Sequence, residues 1–234
     1  MRATVVTLLP EMFRPLLETG VIGRGVERGL LRVDLVDLRD LGEGPHRVVD
    51  DRPFGGGPGM VLLAEPFVQA AEKARAGHPP GARTLLLTPQ GRRFDQAFAR
   101  ELATHAPGFV LLCARYEGVD ERAVEHLAPE EVSLGDFVLS GGEPAALAIL
   151  DAVGRLVPGV LGDEQSPLAD SFGEGRGWLD HAHYTRPAVW RGRPVPEVLR
   201  GGNHAAIQLW REQQARERTA QRRPDLLGGR GAGA

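Results

Sequence analysis

The sequence predicts an α/β fold, in which a mostly parallel sheet is covered by helices on both faces, followed by a small helical C-terminal domain. Short apolar segments alternate with helical patterns over residues 2–157, which is typical of repeated strand and helix units. Residues 159–177 are rich in Gly, Asp, Ser and Pro without periodicity, which indicates a linker. We therefore expect a first domain over residues 1–160, a flexible linker over 161–177 and a basic second domain over 178–234.

The strands and helices of the first domain follow from the spacing of apolar residues. Residues 2–9 form an apolar run and residues 31–38 alternate apolar with polar side chains, so both predict strands. Residues 84–87 and 109–113 are short apolar runs bounded by Gly and Pro, which also predict strands. Helical patterns lie at residues 11–18, after Pro10, and at 65–75, 94–103, 120–127 and 143–157.

The second domain is predicted to be helical. Asn203 occupies an N-cap position before a mixed polar helix over residues 204–218, and Pro224 ends that run. Residues 228–234 are mostly Gly and Ala, and we expect them to be frayed.

Composition excludes several classes of protein. Hydrophobic residues make up 42% of the chain and charged residues 25%, so neither disorder nor a fibrous repeat is indicated. No apolar run approaches the roughly 20 residues that a membrane span needs, and the N-terminus lacks a secretory pattern. We therefore expect a cytoplasmic protein without membrane contact. Cys113 is the single cysteine, which excludes an internal disulfide and any zinc site built on several thiolates.

The charge is unevenly distributed along the chain. The net charge is -3, yet residues 181–234 carry ten arginines against four acidic residues, a local net charge of +6 that leaves -9 for residues 1–180. An acidic body with a basic C-terminal segment predicts a polyanionic partner for that segment.

Glycine is concentrated in loops where strands should end and helices should begin. Residues 50–60 (DDRPFGGGPGM) lack the endings of a P-loop and of a dinucleotide fingerprint, so a phosphate cradle of either type is not indicated. Residues 88–91 (TPQG), 113–118 (CARYEG) and 133–143 (SLGDFVLSGGE) follow predicted strands or apolar pieces. In a parallel sheet such loops meet at one edge, which predicts a small-molecule pocket there.

Nine strings, in order and over nearly the whole chain, stand out: LPEMF (9–13), VDDRPFGGGPGM (49–60), PQGR (89–92), RYEGVDER (115–122), SLGDFVLSGGE (133–143), RLVPGVLG (155–162), DSF (170–172), HYTRP (183–187) and GNHAAI (202–207). Together they resemble the bacterial tRNA (guanine-N1)-methyltransferase family of the SPOUT class, which modifies the guanine immediately 3′ of the anticodon. The resemblance implies an S-adenosylmethionine pocket in a trefoil knot. It also implies a homodimer whose active site lies between subunits, with the basic C-terminal domain clamping tRNA.

The same resemblance implies the residues that contact the cofactor. Ala114 stands where the family usually has Gly, and Glu117 and Asp180 are expected to hold the cofactor amino group or the target base. The implied contacts are Pro89, Gly91, Ala114, Tyr116, Glu117, Leu134, Gly135, Asp136, Phe137, Val138, Leu139, Gly141, Gly142 and Asp180.

The chemistry of guanine indicates what catalysis needs. N1 of neutral guanine carries a proton, so a base must remove it before N1 can attack a methyl group, and negative charge then develops on O6. By resemblance Asp170 is the general base and Arg155 stabilises that charge. From the residues alone, a helix cap or turn aspartate is the favoured interpretation of Asp170, and Arg155 could be a partner of the helix dipole.

Candidate RNA contacts lie in the basic segment, where cationic and aromatic side chains are interleaved. They are His183, Tyr184, Arg186 and Arg191, with Trp190 and Arg193 beside them. His181 and His183 could suggest a metal, but no acidic or cysteine ligand has a convincing spacing with them, so we expect no metal site.

Two other function classes compete with a methyltransferase. A non-catalytic RNA-binding protein with this scaffold would be expected to have lost Asp170 or Arg155, and both are present. A phosphotransferase would need a lysine in a phosphate loop, and Lys73 is the only lysine of the chain.

Overall fold

The computed structural model describes residues 1–162, 170–173 and 177–228, and the chain divides into two compact units, Met1–Asp163 and Glu164–Ala234. The first unit contains a five-stranded sheet in the order β2-β1-β6-β5-β7, and every pair of neighbouring strands in it is parallel. Its strands are β1 (Arg2–Thr7), β2 (Arg32–Asp37), β5 (Arg83–Arg93), β6 (Phe109–Cys113) and β7 (Glu130–Ser133). Short strands β3 (Asp50–Asp51) and β4 (Val61–Leu62) pair with each other. The prediction of a mostly parallel sheet is confirmed.

The central strands are buried on both faces because their successive side chains point to opposite sides of the sheet. On β6, Leu111 and Cys113 belong to one apolar core, whereas Val110 and Leu112 belong to the other. Helices α4 (Gln96–Thr104) and α6 (Glu143–Gly154) cover the first core, and α3 (Ala64–Ala76) and α5 (Glu121–Leu127) cover the second. Helices therefore flank the sheet on both faces, as predicted.

The N-terminal helical region differs from the prediction of one helix over residues 11–18. A 3₁₀-helix at Pro10–Met12 is followed by α1 (Arg14–Glu18) and then by α2 (Gly20–Glu27). Helix α2 was not predicted because it contains three glycines, which have low helix propensity. Burial of Ile22 against Leu31 and Val160 supplies the stabilisation that propensity lacks.

Strand β7 was not predicted, because its first two residues are glutamates. The structure gives the first of them a partner on the neighbouring strand, since Arg83 of β5 donates hydrogen bonds to Glu130. Helix α6 is shorter than predicted and ends at Gly154, with Arg155 as its C-cap residue.

The second unit is described from 170–173 and 177–228. Strands β8 (Val189–Trp190) and β9 (Arg193–Pro194) form an antiparallel pair, and α7 (His204–Arg222) follows a 3₁₀-helix at Glu197–Leu199. The Asn203 side chain accepts a hydrogen bond from Ala206 N, as an N-cap does. Helix α7 runs beyond the predicted residue 218, and buried Thr219 in its last turn accepts a hydrogen bond from Leu179 N. Within the described residues, no helix combines the length and the apolar character needed to cross a membrane.

Candidate active site

A cavity of about 460 Å³ opens at the carboxyl edge of the sheet, beyond the ends of β5, β6 and β7. Three loops wall it: residues 88–90, which interrupt β5, 114–118 after β6 and 134–142 after β7. In parallel sheets the carboxyl ends of strands point the same way, so loops distant in sequence meet there. Leu86 and Leu87, just before the loop in β5, and Val132, near the end of β7, form part of the apolar wall of the cavity.

The first loop is an insertion within β5. Leu87 and Arg92 both pair with Val132 of β7, so residues 88–91 project from the strand and the pairing then resumes. Gly91 closes this loop against β7, where a Cβ atom would lie 2.1 Å from Val132 N and 2.2 Å from Glu131 C. Only glycine fits this approach of two backbones.

The second and third loops are joined to each other by their backbones. Gly142 N donates a hydrogen bond of 2.8 Å to Ala114 O, and Arg115 and Gly141 form an antiparallel bridge. The cavity wall is thus held by main-chain contacts between segments that follow different strands.

A buried carboxylate lies beneath these two loops. The side chain of Glu143, the first residue of α6, has no exposed surface. Its Oε1 accepts a hydrogen bond of 2.9 Å from Thr7 Oγ1, and its Oε2 accepts one of 3.0 Å from Arg115 Nη1. The network connects β1, the loop after β6 and α6, and the N-terminus of a helix favours the negative charge. Sequence analysis missed this role, although a glutamate at the start of a strongly apolar helix was a signal.

The glycine-rich segment of residues 50–60 packs beside the second loop. Glu117 N donates to Met60 O at 3.0 Å, and Leu62 N donates to Gly118 O at 3.0 Å. Gly59 has a positive φ, and a Cβ atom there would lie 2.3 Å from Glu117 Oε1. A residue larger than glycine at position 59 would therefore displace the Glu117 side chain.

Comparison with known proteins identifies the family of this chain. The family model described as tRNA (Guanine-1)-methyltransferase TrmD matches residues 1–229. The chain belongs to this family. Proteins named tRNA (guanine-N(1)-)-methyltransferase are similar to it over most of their length. The one from Rhodopirellula baltica is 53% identical, over 97% of this chain and 94% of that protein. The one from Myxococcus xanthus is 52% identical, over 95% of this chain and 88% of that protein.

Most of the residues for which the family resemblance implied cofactor contacts line the cavity. They are Pro89, Ala114, Tyr116, Glu117, Leu134, Gly135, Phe137, Val138, Leu139, Gly141 and Gly142. Gly91 and Asp136 do not line it: Gly91 lies against β7, and Asp136 is exposed. Asp180 belongs to the second unit. Thr88, Gln90 and Arg115 also line the cavity; they lie in the loops predicted to wall a pocket, although the family resemblance did not name them as cofactor contacts.

The two residues with implied catalytic roles lie in different units of this family member. Arg155, in the first unit, is half-buried, and its N–H donates to Asp151 O at the end of α6. Asp170, in the second unit, is also half-buried, and its main-chain carbonyl accepts a hydrogen bond from Gly173 N. Most of the predicted linker, residues 163–169 and 174–176, lies outside the described residues, as do residues 229–234.

The candidate RNA contacts that the sequence pattern indicated are exposed in the second unit. Tyr184 is 49% exposed, and Arg186 and Arg191 are exposed as well. The Arg191 guanidinium lies 4.9 Å from the centre of the Trp190 ring, within the range of a cation–π contact. Cationic and aromatic groups are therefore available to a nucleic acid on this unit.

Asp180 is held by two histidines of the second unit. Its Oδ1 lies 2.6 Å from His181 Nδ1 and its Oδ2 lies 2.7 Å from His183 Nε2. Burial alone would raise the pKa of the carboxyl, but the hydrogen bonds from His183 and His181 outweigh it and lower the pKa below its usual value. Asp180 is therefore an ionised carboxylate at neutral pH.

Proposed function

We propose that this protein transfers a methyl group from S-adenosylmethionine to N1 of the guanine immediately 3′ of the anticodon in tRNA. Membership of the family and the names of the relatives support the reaction and the class of substrate. The observation that carries the proposal is the cavity of about 460 Å³ where three loops meet at the carboxyl edge of the sheet.

The residues present fit S-adenosylmethionine as the methyl donor. The volume lies in the range of roughly 300–1,000 Å³ typical of small-molecule sites. Leu87, Val132 and Leu134 offer apolar surface to an adenine ring, and the loops offer main-chain donors and acceptors. Glu117 supplies a carboxylate for an amino group. When bound, the cofactor would supply an electrophilic methyl group.

The protein's part in the reaction is then proton transfer and charge stabilisation. The Asp170 carboxylate accepts the N1 proton of guanine, which leaves the N1 lone pair free to attack. The Arg155 guanidinium faces O6, where negative charge develops, and stabilises the transition state more than the ground state. Asp180 remains a candidate for holding the cofactor or the base.

We also propose a trefoil knot around the cofactor loops and a homodimer with the active site between subunits, working in the cytoplasm. Phe137 and Val138 are 54% and 87% exposed at the cavity, so a partner could cover them. Sedimentation equilibrium should give twice the mass of the chain, and a monomer at micromolar concentration would contradict the dimer.

Methyl transfer to unmodified tRNA tests the proposed reaction. With methyl-labelled S-adenosylmethionine, we expect 1-methylguanosine from the unaltered protein. Asp170→Asn should lower the rate by about 10²–10⁴-fold, the usual range for loss of a general base, while cofactor binding measured by calorimetry is retained. Asp40→Asn, an exposed aspartate of the first unit, is the matched control. Full activity of Asp170→Asn would remove the proposed base, and label in another nucleoside would overturn the substrate assignment.

A further inference from the structure

We propose that Asp180, His181 and His183 of the second unit form a binding site for a divalent cation such as Zn²⁺. One ligand atom from each residue lies within 4.8 Å of the others, so the three converge on one point of the surface. The sequence argued against a metal because the histidines lacked an acidic partner. The structure supplies that partner in Asp180, the residue directly before His181.

The donor set selects the class of ion. Two imidazole nitrogens and one carboxylate oxygen suit Zn²⁺ and neighbouring transition metals, whereas Mg²⁺ and Ca²⁺ prefer oxygen ligands alone. Ligand atoms around one tetrahedral Zn²⁺ lie about 3.3 Å apart, given metal–ligand distances near 2.0 Å. The Asp180 oxygens are closer than this to the histidine nitrogens, at 2.6 and 2.7 Å, so small side-chain rotations would admit an ion. Three protein ligands leave a fourth position for water or a polyanion.

The site is largely preorganised. The side chains of Asp180 and His181 are only 21% and 16% exposed, whereas His183 is 71% exposed and can move. Asp180 Oδ1 also accepts a hydrogen bond of 2.7 Å from His181 N, which fixes the orientation of the carboxylate. The edge of the Trp210 ring system lies against His181, with ring centres 6.5 Å apart. Binding would therefore order little besides His183.

An alternative is that the cluster is complete as it stands, with the carboxylate accepting a hydrogen bond from each ring. Neutral imidazole carries one N–H, so this arrangement assigns the proton to Nδ1 of His181 and to Nε2 of His183. In the site we propose, the ion takes the place of these two hydrogens, and each neutral ring carries its proton on its other nitrogen, Nε2 of His181 and Nδ1 of His183. The two arrangements differ in whether the chain takes up metal at these residues, which can be measured directly.

A bound ion would also hold the segment that contains Asp170. Asp180 N donates a hydrogen bond of 3.0 Å to Ser171 Oγ, and Phe172 N donates to Trp178 O at 2.7 Å. Fixing Asp180 therefore fixes the turn beside Asp170. Metal binding itself needs neither tRNA nor S-adenosylmethionine, so it succeeds or fails separately from the proposed methyl transfer.

Calorimetric titration of the full chain, without a histidine tag, with ZnCl₂ tests the site. We expect one ion per chain, and at least about a tenfold loss of affinity in His181→Ala and in His183→Ala. His183 is exposed, so its variant separates loss of a ligand from loss of the fold. His105→Ala removes an exposed histidine of the first unit and should bind as the unaltered protein does. No binding, or equal binding by all three variants, would overturn the proposal.

Hydrogen exchange supplies a second measurement that locates the effect. Zn²⁺ should slow exchange of amides in residues 171–173 and 178–183 of the unaltered protein and of His105→Ala, but not of His183→Ala. A site at these three residues would be contradicted if Zn²⁺ still slowed exchange in His183→Ala, or if the slowed amides lay in other parts of the chain.

Discussion

The cavity of the first unit and the histidine-rich surface of the second unit are built in different ways. The cavity is walled by loops whose main chains hydrogen-bond to one another, with a buried glutamate beneath them. The second unit instead presents exposed side chains on short strands and turns, among them Tyr184, Trp190 and Arg191. One region depends on main-chain geometry, and the other depends on side-chain chemistry.

This difference predicts how each region responds to change. A substitution in the loops should alter both stability and cofactor binding, because close-packed backbone cannot adjust to an added atom without moving its neighbours. A substitution on the exposed surface should alter association with a polyanion and leave the fold intact. The following predictions test this separation.

The largest effect is expected for Gly91→Ala. The added Cβ would lie 2.1 Å from Val132 N, so β5 and β7 must separate, at a cost of about 3 kcal/mol in the free energy of unfolding. Affinity for S-adenosylmethionine should fall as well. Urea unfolding and calorimetry measure the two effects. The control is Gly162→Ala, where an added Cβ has no atom within 4 Å. Equal stability of Gly91→Ala and Gly162→Ala would show that the contact between residue 91 and β7 tolerates an added Cβ.

A smaller loss is expected for Glu143→Gln. Arg115 loses its buried carboxylate partner, and we expect about 2 kcal/mol of destabilisation, because water can still reach part of the guanidinium. The Michaelis constant for S-adenosylmethionine should rise more than the turnover number falls, since the cavity loops lose a shared anchor. Glu125→Gln, on the exposed side of α5, should match the unaltered protein. A fall in turnover alone would assign Glu143 a different role.

Arg186→Ala and Arg191→Ala should weaken tRNA binding while leaving unfolding and cofactor affinity unchanged. Each arginine that neutralises a phosphate contributes about one unit to the salt dependence of the binding constant. Fluorescence anisotropy at several salt concentrations measures that slope. Arg14→Ala removes a 75% exposed arginine of the first unit and serves as the control. An equal loss in Arg14→Ala would mean that binding follows total charge.

The smallest effect concerns Cys113, at the end of β6. Burial raises the pKa of its thiol, and the nearby Glu143 carboxylate adds to this, so little reactive thiolate forms at pH 8. Iodoacetamide should leave the native protein unlabelled at pH 8 and should label it after unfolding in urea. Mass spectrometry distinguishes the two states. Rapid native labelling would show that the β6 end of the cavity opens to solvent.

The sequence alone was sufficient to predict the alternation of strands and helices, because buried strands and amphipathic helices each have a characteristic local spacing of apolar residues. It was also sufficient to predict the glycine-rich loops after β6 and β7, because the local composition changes abruptly there. The N-cap role of Asn203 was predictable for the same reason, since its hydrogen-bond partner, Ala206 N, lies only three residues away. Patterns of this kind need no knowledge of the rest of the chain.

Contacts between distant residues were decided only by the tertiary structure. Thr7 and Glu143 are 136 residues apart and share a hydrogen bond, and Arg83 pairs with Glu130, the first residue of β7, across 47 residues. Even where the partners are near in sequence, as for Asp180 with His181 and His183, the contact depends on how the backbone turns, which spacing alone did not reveal. Local propensity carries no information about which segments pair, because pairing is selected by the packing and charge balance of the whole fold.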